Sequence, residues 1–275
     1  MIALEILAFV AAIGAGLFGS LAGIGGGLIV VPLLTIALGV DIKTAIAASL
    51  LGVIAVSTAA ASSYLQIGLV DRRLGLTLLL ATAAGGIVGG YVGGLLSAQV
   101  LAAIFGVVLV LVAVQMLRGR RSTAPELIGE PTGLEFDSSF VEPTTGEEVN
   151  YRARRVATGT AISLVAGALS GLLGIGGGVV NVPTMNLVMG VPIRVALTTS
   201  TYMLGATAAA SAVIYYSRGL IDPTIAAPVV IGVFIGARIG ARLARRVPQQ
   251  ALQLLFVVVA AFFAFQMLLR ALGYA

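Results

Sequence analysis

Apolar runs long enough to cross a bilayer recur along nearly the whole chain, and they restrict the fold more than any other feature. With rough boundaries they cover 2–22, 27–40, 44–65, 74–96 and 99–117 in the first half. A hydrocarbon core about 30 Å thick takes roughly 20 apolar residues of helix to cross. Short polar connections separate the runs: Asp41-Ile42-Lys43, Gly68 to Arg73, and Ser97-Ala98-Gln99. Only 10% of the 275 residues are charged, against about 25% in soluble domains, so an all-α polytopic membrane protein is expected. The net charge of +5 does not point to nucleic acid, because the arginines cluster at the ends of apolar runs. The lipid bilayer is the expected partner. The chain has neither cysteine nor histidine, which excludes disulfides and thiolate chemistry and removes the commonest metal ligand and proton shuttle. No cofactor and no metal is expected. The start, Met1-Ile2-Ala3-Leu4-Glu5, lacks the basic region of a signal peptide and reads as the first membrane segment.

The same segments return 151 residues later without a gap. Gly39-Val40 answers to Gly190-Val191, Ser49 to Ser200, Tyr64 to Tyr215, and Asp71 to Asp222. Gln115-Met116-Leu117 answers to Gln266-Met267-Leu268. An ungapped match of this length is an internal duplication. The expected organisation is a membrane repeat over 1–121, a polar linker over 122–151 and a second membrane repeat over 152–275.

Within each repeat the apolar pattern is interrupted once by glycines. Gly23-Ile24-Gly25-Gly26-Gly27 runs into Leu28-Ile29-Val30-Val31-Pro32, and Gly174-Ile175-Gly176-Gly177-Gly178 into Val179-Val180-Asn181-Val182-Pro183. Glycine clusters make poor helix interior, so each run is expected to break there and a short helix to start just after. A helix start leaves N–H groups unpaired and carries partial positive charge, and glycine lets an anion approach the backbone. Gly25, Gly26, Gly27, Gly176, Gly177 and Gly178 are therefore candidate anion-binding positions. The competing reading is that these glycines only permit close helix packing.

The linker is basic at both ends (Arg118, Arg120, Arg121; Arg152, Arg154, Arg155) and acidic between. Its runs Glu135 to Val141 and Glu147 to Tyr151, joined through Pro143-Thr144-Thr145-Gly146, are compatible with a small β-hairpin or with a plain solvated linker. Charge placement bears on topology. Arg72-Arg73 follows the third segment of repeat one, whereas Arg245-Arg246 follows the fourth of repeat two. If cationic loops stay in the cytoplasm, equivalent loops lie on opposite sides. The expected fold is then two inverted repeats of about five segments each, with a broken or re-entrant Gly-rich element in each. Inverted repeats with broken helices are a transporter architecture whose sites lie where the repeats meet.

The paired Gly-x-Gly-Gly-Gly motifs, each with Val-Pro downstream, sit in a small duplicated membrane protein with a polar central loop. In these features the chain resembles the sulfite exporter TauE/SafE family, also called the toluene sulfonate uptake permease family. The resemblance covers essentially the whole chain. It implies transport of small sulfur oxyanions or organosulfonates across the cell membrane, with a small anion as the partner.

Several polar residues inside the spans are candidate contacts for that anion. Asn181, Thr184 and Asn186 follow the second glycine motif, where repeat one has Val30, Leu33 and Thr35. Helix capping and interhelical bonding would also explain them. Ser49, Thr199 and Ser200 could donate hydroxyls to an oxyanion, or bond back to their own helix. Arg238 lies within an apolar run opposite Ile87 and either attracts an anion or snorkels to the surface. Tyr64 and Tyr215 are expected in an interfacial belt. Lys43 and Arg194 would steer anions or anchor helix ends. The glycines from Gly85 to Gly94, echoed by Gly232, Gly236 and Gly240, suit close helix packing.

No nucleophile–base pair, metal set or carboxylate dyad appears in the spans, so no enzyme is expected. Export of an anion needs no proton relay, since an inside-negative potential drives it. An anion channel, or a non-transporting assembly factor acting through the linker, are the alternatives. Homo-oligomerisation is compatible with the sequence.

Overall fold

A computed structural model of the chain describes residues 2–22, 26–66, 68–118, 136–141, 146–243 and 249–273. Gly25 lies outside these residues. So do Arg120, Arg121, Glu135, the expected turn Pro143-Thr144-Thr145 and the pair Arg245-Arg246.

Repeat one comprises α1 (Ile2–Ala22), α2 (Gly27–Pro32), α3 (Ile42–Gln66), α4 (Arg72–Leu95) and α5 (Ala98–Arg118). Repeat two comprises α6 (Val156–Leu173), α7 (Gly178–Pro183), α8 (Ile193–Ser217), α9 (Pro223–Leu243) and α10 (Gln249–Ala271). Strands β1 (Phe136–Val141) and β2 (Glu148–Ala153) lie between. Among the described residues, α4, α6 and parts of α3, α5 and α9 are long and apolar enough to span a membrane.

Local chemistry sets the helix ends. The Asp71 carboxylate caps α4 by accepting the Leu74 N–H at 3.0 Å. Gly174, at φ 72°, closes α6 in the left-handed conformation, its N–H donating to Ser170 O at 2.8 Å. Each short helix ends at a proline, Pro32 or Pro183, and widens there into a π turn, Leu33–Ala37 or Thr184–Val188. Proline supplies no N–H to the helical ladder, and a widened turn accommodates the loss.

Packing is interleaved between the repeats. Helix α1 lies against α9 and α4 against α6, while α3 packs on α8 and α5 on α10. Exchanging the repeats turns the α1–α9 pairing into the α6–α4 pairing and maps α3–α8 and α5–α10 each onto itself, so the duplication read in the sequence is also a symmetry of the contacts. Small residues allow it. A Cβ at Gly85 would run into Leu164 O, and one at its counterpart Gly236 into Ile13 O. In a membrane, such backbone approach supplies the packing that apolar side chains alone do not.

The linker strands pair antiparallel, from Phe136 opposite Ala153 to Val141 opposite Glu148. The hairpin is docked. Phe140 and Ala153 are buried against Met185, Met189 and Leu74, and the Arg154 N–H donates to Met189 O at 2.9 Å. The Tyr151 hydroxyl donates to the Asp71 carboxylate at 2.7 Å. Burial pushes the Tyr151 hydroxyl well above its ordinary range, against a hydrogen bond with Ser138, and the Asp71 carboxylate adds to the rise. On the exposed face the side-chain hydrogen bond from Arg152 lowers the Asp137 carboxyl.

One expectation is corrected here. Tyr215 is not in an interfacial belt but fully buried, and its hydroxyl donates to Gly171 O at 3.1 Å. Gly90 and Gly93 of α4 make the room: a Cβ at Gly93 would lie 2.7 Å from the Tyr215 hydroxyl. Among the described residues the exposed tyrosines are Tyr91 and Tyr216, and the Arg218 guanidinium lies 4.8 Å from the Tyr91 ring centre.

Candidate functional site

Gly26 and Gly177 share a positive φ of 75° immediately before α2 and α7. Each directs its carbonyl into the new helix: Gly26 O accepts from Ile29 and Val30, and Gly177 O from Val180 and Asn181. A residue with a Cβ is disfavoured at that φ, which accounts for glycine at both.

The two breaks meet. The Ser49 hydroxyl, on α3, donates to Gly174 O at 2.8 Å and lies 3.5 Å from Gly27 O. A Cβ at Gly27 would collide with Gly174 O and come within 2.9 Å of the Ser49 hydroxyl. Val53 of α3 and Leu204 of α8, equivalent positions in the two repeats, close on the breaks. Val53 lies against Gly27 and Gly176, Leu204 against Gly176 and Gly178.

Around the second break the polar groups differ in kind from those around the first. Ser200, the counterpart of Ser49, has its hydroxyl 3.3 Å from where a Gly178 Cβ would stand. Among the described residues that hydroxyl is buried without a hydrogen-bond partner, as are Oδ1 of Asn181 and the hydroxyls of Ser163 and Ser170. The side chain of Ser170 lies against Gly177, its Cβ 3.4 Å from where a Gly177 Cβ would stand. Three of the four unpartnered groups thus surround the start of α7.

The remaining sequence candidates are engaged elsewhere. Thr184 donates to Val180 O at 2.7 Å and Asn186 Nδ2 to Val191 O at 2.9 Å, both tying the π turn to its own element. The Thr199 hydroxyl accepts the Asp71 N–H at 3.0 Å, joining α8 to the start of α4. Arg238 is exposed, its guanidinium 4.9 Å from the Phe234 ring centre. Lys43 donates to Gly94 O at 2.9 Å and so anchors the end of α4.

Ser163 and Ser170 are not among the candidates the sequence pattern singles out. A signal is present, since their counterparts in repeat one are Ala12 and Gly19, which offer no hydroxyl. The pattern also puts Asp71 in a connection, whereas Asp71 is buried beneath the hairpin. Among the described residues, no three acidic side chains gather where a metal ion could sit.

Long apolar helices, with two glycine breaks that meet at Ser49, describe a multi-pass membrane protein. The chain belongs to the sulfite exporter TauE/SafE family, whose model matches residues 8–267. It is similar to the probable membrane transporter protein YunE of Bacillus subtilis (strain 168), with 27% identity over 227 residues, covering 80% of this chain and 81% of that protein. No solved structure matches the chain significantly.

Proposed function

We propose that this transporter moves small sulfur oxyanions, of the sulfite or organosulfonate kind, outward across the cell membrane. The anion is received where the glycine breaks meet. The observation that carries this reading is the convergence of both breaks on one point, at Ser49, Gly27 and Gly174. Irregular backbone at membrane depth is tolerated where it lines a cavity or is buried in protein. Convergent breaks with unpartnered donors beside them suit a ligand that brings only acceptors. The family description, sulfite exporter, supports the substrate class.

Repeat orientation follows from the arginines. Helices α1 and α2 together enter and return, and α3, α4 and α5 each cross once, giving an odd number of crossings and an inverted second repeat. The hairpin then faces the cytoplasm, with Arg72, Arg73 and the basic ends of the linker.

Outward movement of one negative charge across about 100 mV gains roughly 2.3 kcal/mol, a gradient of about fifty-fold. The membrane potential is a sufficient driving force. Asp71, a buried carboxylate, is engaged in capping α4 and in accepting from Tyr151.

The test is flux in proteoliposomes. A potassium diffusion potential should accelerate sulfite or sulfonate movement toward the positive side with no pH gradient. Flux that instead follows an imposed proton gradient at zero potential refutes potential-driven export.

A further inference from the structure

We infer that the anion site is one-sided and uncharged. It is a cradle at the second break in which the Ser170 hydroxyl of α6 joins that of Ser200 as a donor to the anion, and it takes a singly charged oxyanion in preference to a doubly charged one. This rests on the reading of the breaks as an anion site.

Four buried polar atoms without partners are found among the described residues, and all four belong to repeat two. Three are serine hydroxyls, which can donate to an anion, whereas the fourth, Asn181 Oδ1, is an amide oxygen that only accepts. Buried hydroxyls ordinarily find a partner, so the two orphans beside the start of α7, Ser170 and Ser200, call for a common explanation. The repeats are otherwise closely matched. A Cβ at Gly26 would meet Ala15 O, and one at Gly177 would meet Ala166 O, the equivalent atom. Yet repeat one carries Ala12, Gly19 and Val30 where repeat two carries Ser163, Ser170 and Asn181. The one shared hydroxyl, Ser49, is bonded to Gly174 O. Packing therefore does not require these hydroxyls, because the same packing is achieved without them 151 residues earlier.

The geometry brings the Ser170 and Ser200 side chains to the start of α7 from two different helices. Ser163, Ala166 and Ser170 share a face of α6 at i, i+3 and i+7. Ala166 O and Ser170 Cβ lie 3.3 and 3.4 Å from the Cβ position of Gly177, so that face looks onto α7. Ser200 approaches α7 from the α8 side at Gly178. Asn181 stands one turn into α7, on the helix these serines surround.

Charge selectivity follows from what the cradle lacks. The atoms closest to the Cβ positions of Gly176, Gly177 and Gly178 belong to Val53, Ala166, Ser170, Ser200 and Leu204, none of them ionised. Hydroxyl donors can compensate the burial of one negative charge shared over several oxygens. A second charge, buried without a cation, adds a desolvation cost that neutral donors do not meet. Methanesulfonate is therefore expected to bind more tightly than sulfate.

The test uses the full-length protein in detergent, with binding of methanesulfonate, sulfite and sulfate followed by thermal shift and calorimetry. Ser170→Ala and Ser200→Ala should each raise the methanesulfonate Kd roughly tenfold or more, the effect of losing a hydrogen bond to a charged group. Without anion, both variants should melt no lower than the parent, because they delete an orphan rather than a bond. Unchanged Kd values in both variants, with or without a lowered melting point, overturn the assignment and make the serines structural. Sulfate binding as tightly as methanesulfonate overturns the uncharged cradle. A parent protein that responds to none of the three anions overturns the anion-site reading itself, which separates that failure from the other two.

Discussion

Ser49 and Ser200 occupy equivalent positions in the two repeats, yet opposite outcomes are expected when each is replaced by alanine. The Ser49 hydroxyl donates to Gly174 O at 2.8 Å, and the residue is 1% exposed. Such a bond contributes about 1 kcal/mol net, and a buried carbonyl left unsatisfied costs about 1–3 kcal/mol. Ser49→Ala is therefore expected to destabilise by about 2 kcal/mol. At about 2 °C per kcal/mol for a chain of this size, the melting point should fall by roughly 4 °C. Ser200 is as deeply buried but has no partner to lose. Ser200→Ala should leave the melting point unchanged or slightly raised and weaken anion binding instead. Thermal unfolding of both variants in the same detergent, with and without methanesulfonate, measures the two effects side by side. An equal fall in melting point for both would refute the reasoning, since it would mean that the Ser200 hydroxyl is bonded as Ser49 is. Full stability in Ser49→Ala would refute the claim that this bond holds the two breaks together.

Three other outcomes are expected. Gly177→Ala forces a Cβ into the left-handed region, at a cost of about 1–2 kcal/mol, and brings it 3.3 Å from Ala166 O; it should weaken anion binding, whereas Gly89→Ala, which drives a Cβ into Ala168 O, should act through stability alone, as thermal shift and flux together will tell. Tyr151→Phe removes the 2.7 Å bond to Asp71 and should loosen the hairpin by about 1–2 kcal/mol, read as faster amide exchange over β1 and β2 with the helices unchanged. Cysteines introduced at Arg73 and Arg218 should label from opposite sides of the membrane, and labelling from the same side would end the inverted-repeat topology.

Much of the helical layout is legible in the sequence because a bilayer imposes a length on apolar segments. The expected run 2–22 coincides with α1, and 44–65 lies within α3. The breaks are legible because glycine is the one residue that tolerates the φ of 75° found at Gly26 and Gly177. Partner choice is not. In a lipid environment nearly every helix face is apolar, so hydropathy does not say that α1 packs on α9 of the other repeat. The glycine faces of α4 and α9 mark where close approach occurs but not what approaches. Burial of Tyr215 is hidden for the same reason, because the space for its ring is made by Gly90 and Gly93 of a helix more than a hundred residues away. Ser170 escapes notice because a serine in an apolar helix usually bonds back to its own backbone. Only the absence of that bond makes it a candidate, and absence of a bond is a property of three-dimensional structure.

The duplication itself separates scaffold from chemistry. Contacts that hold the helices together occur twice, once in each repeat, as with Gly85 on Leu164 O and Gly236 on Ile13 O. Not every structural contact is doubled, since the Ser49 bond to Gly174 O is made by one copy and not by its counterpart Ser200. Unpartnered hydroxyls, the docked hairpin and the buried carboxylate each occur once: Asp71 is held under Tyr151, while its counterpart Asp222 is exposed and bonds Thr224. The hairpin also buries Met185 and Met189, at the end of the element that begins at the second break. Two of these one-sided features thus bracket α7 and its π turn, the orphan Ser200 hydroxyl at its start and the docked hairpin at its end.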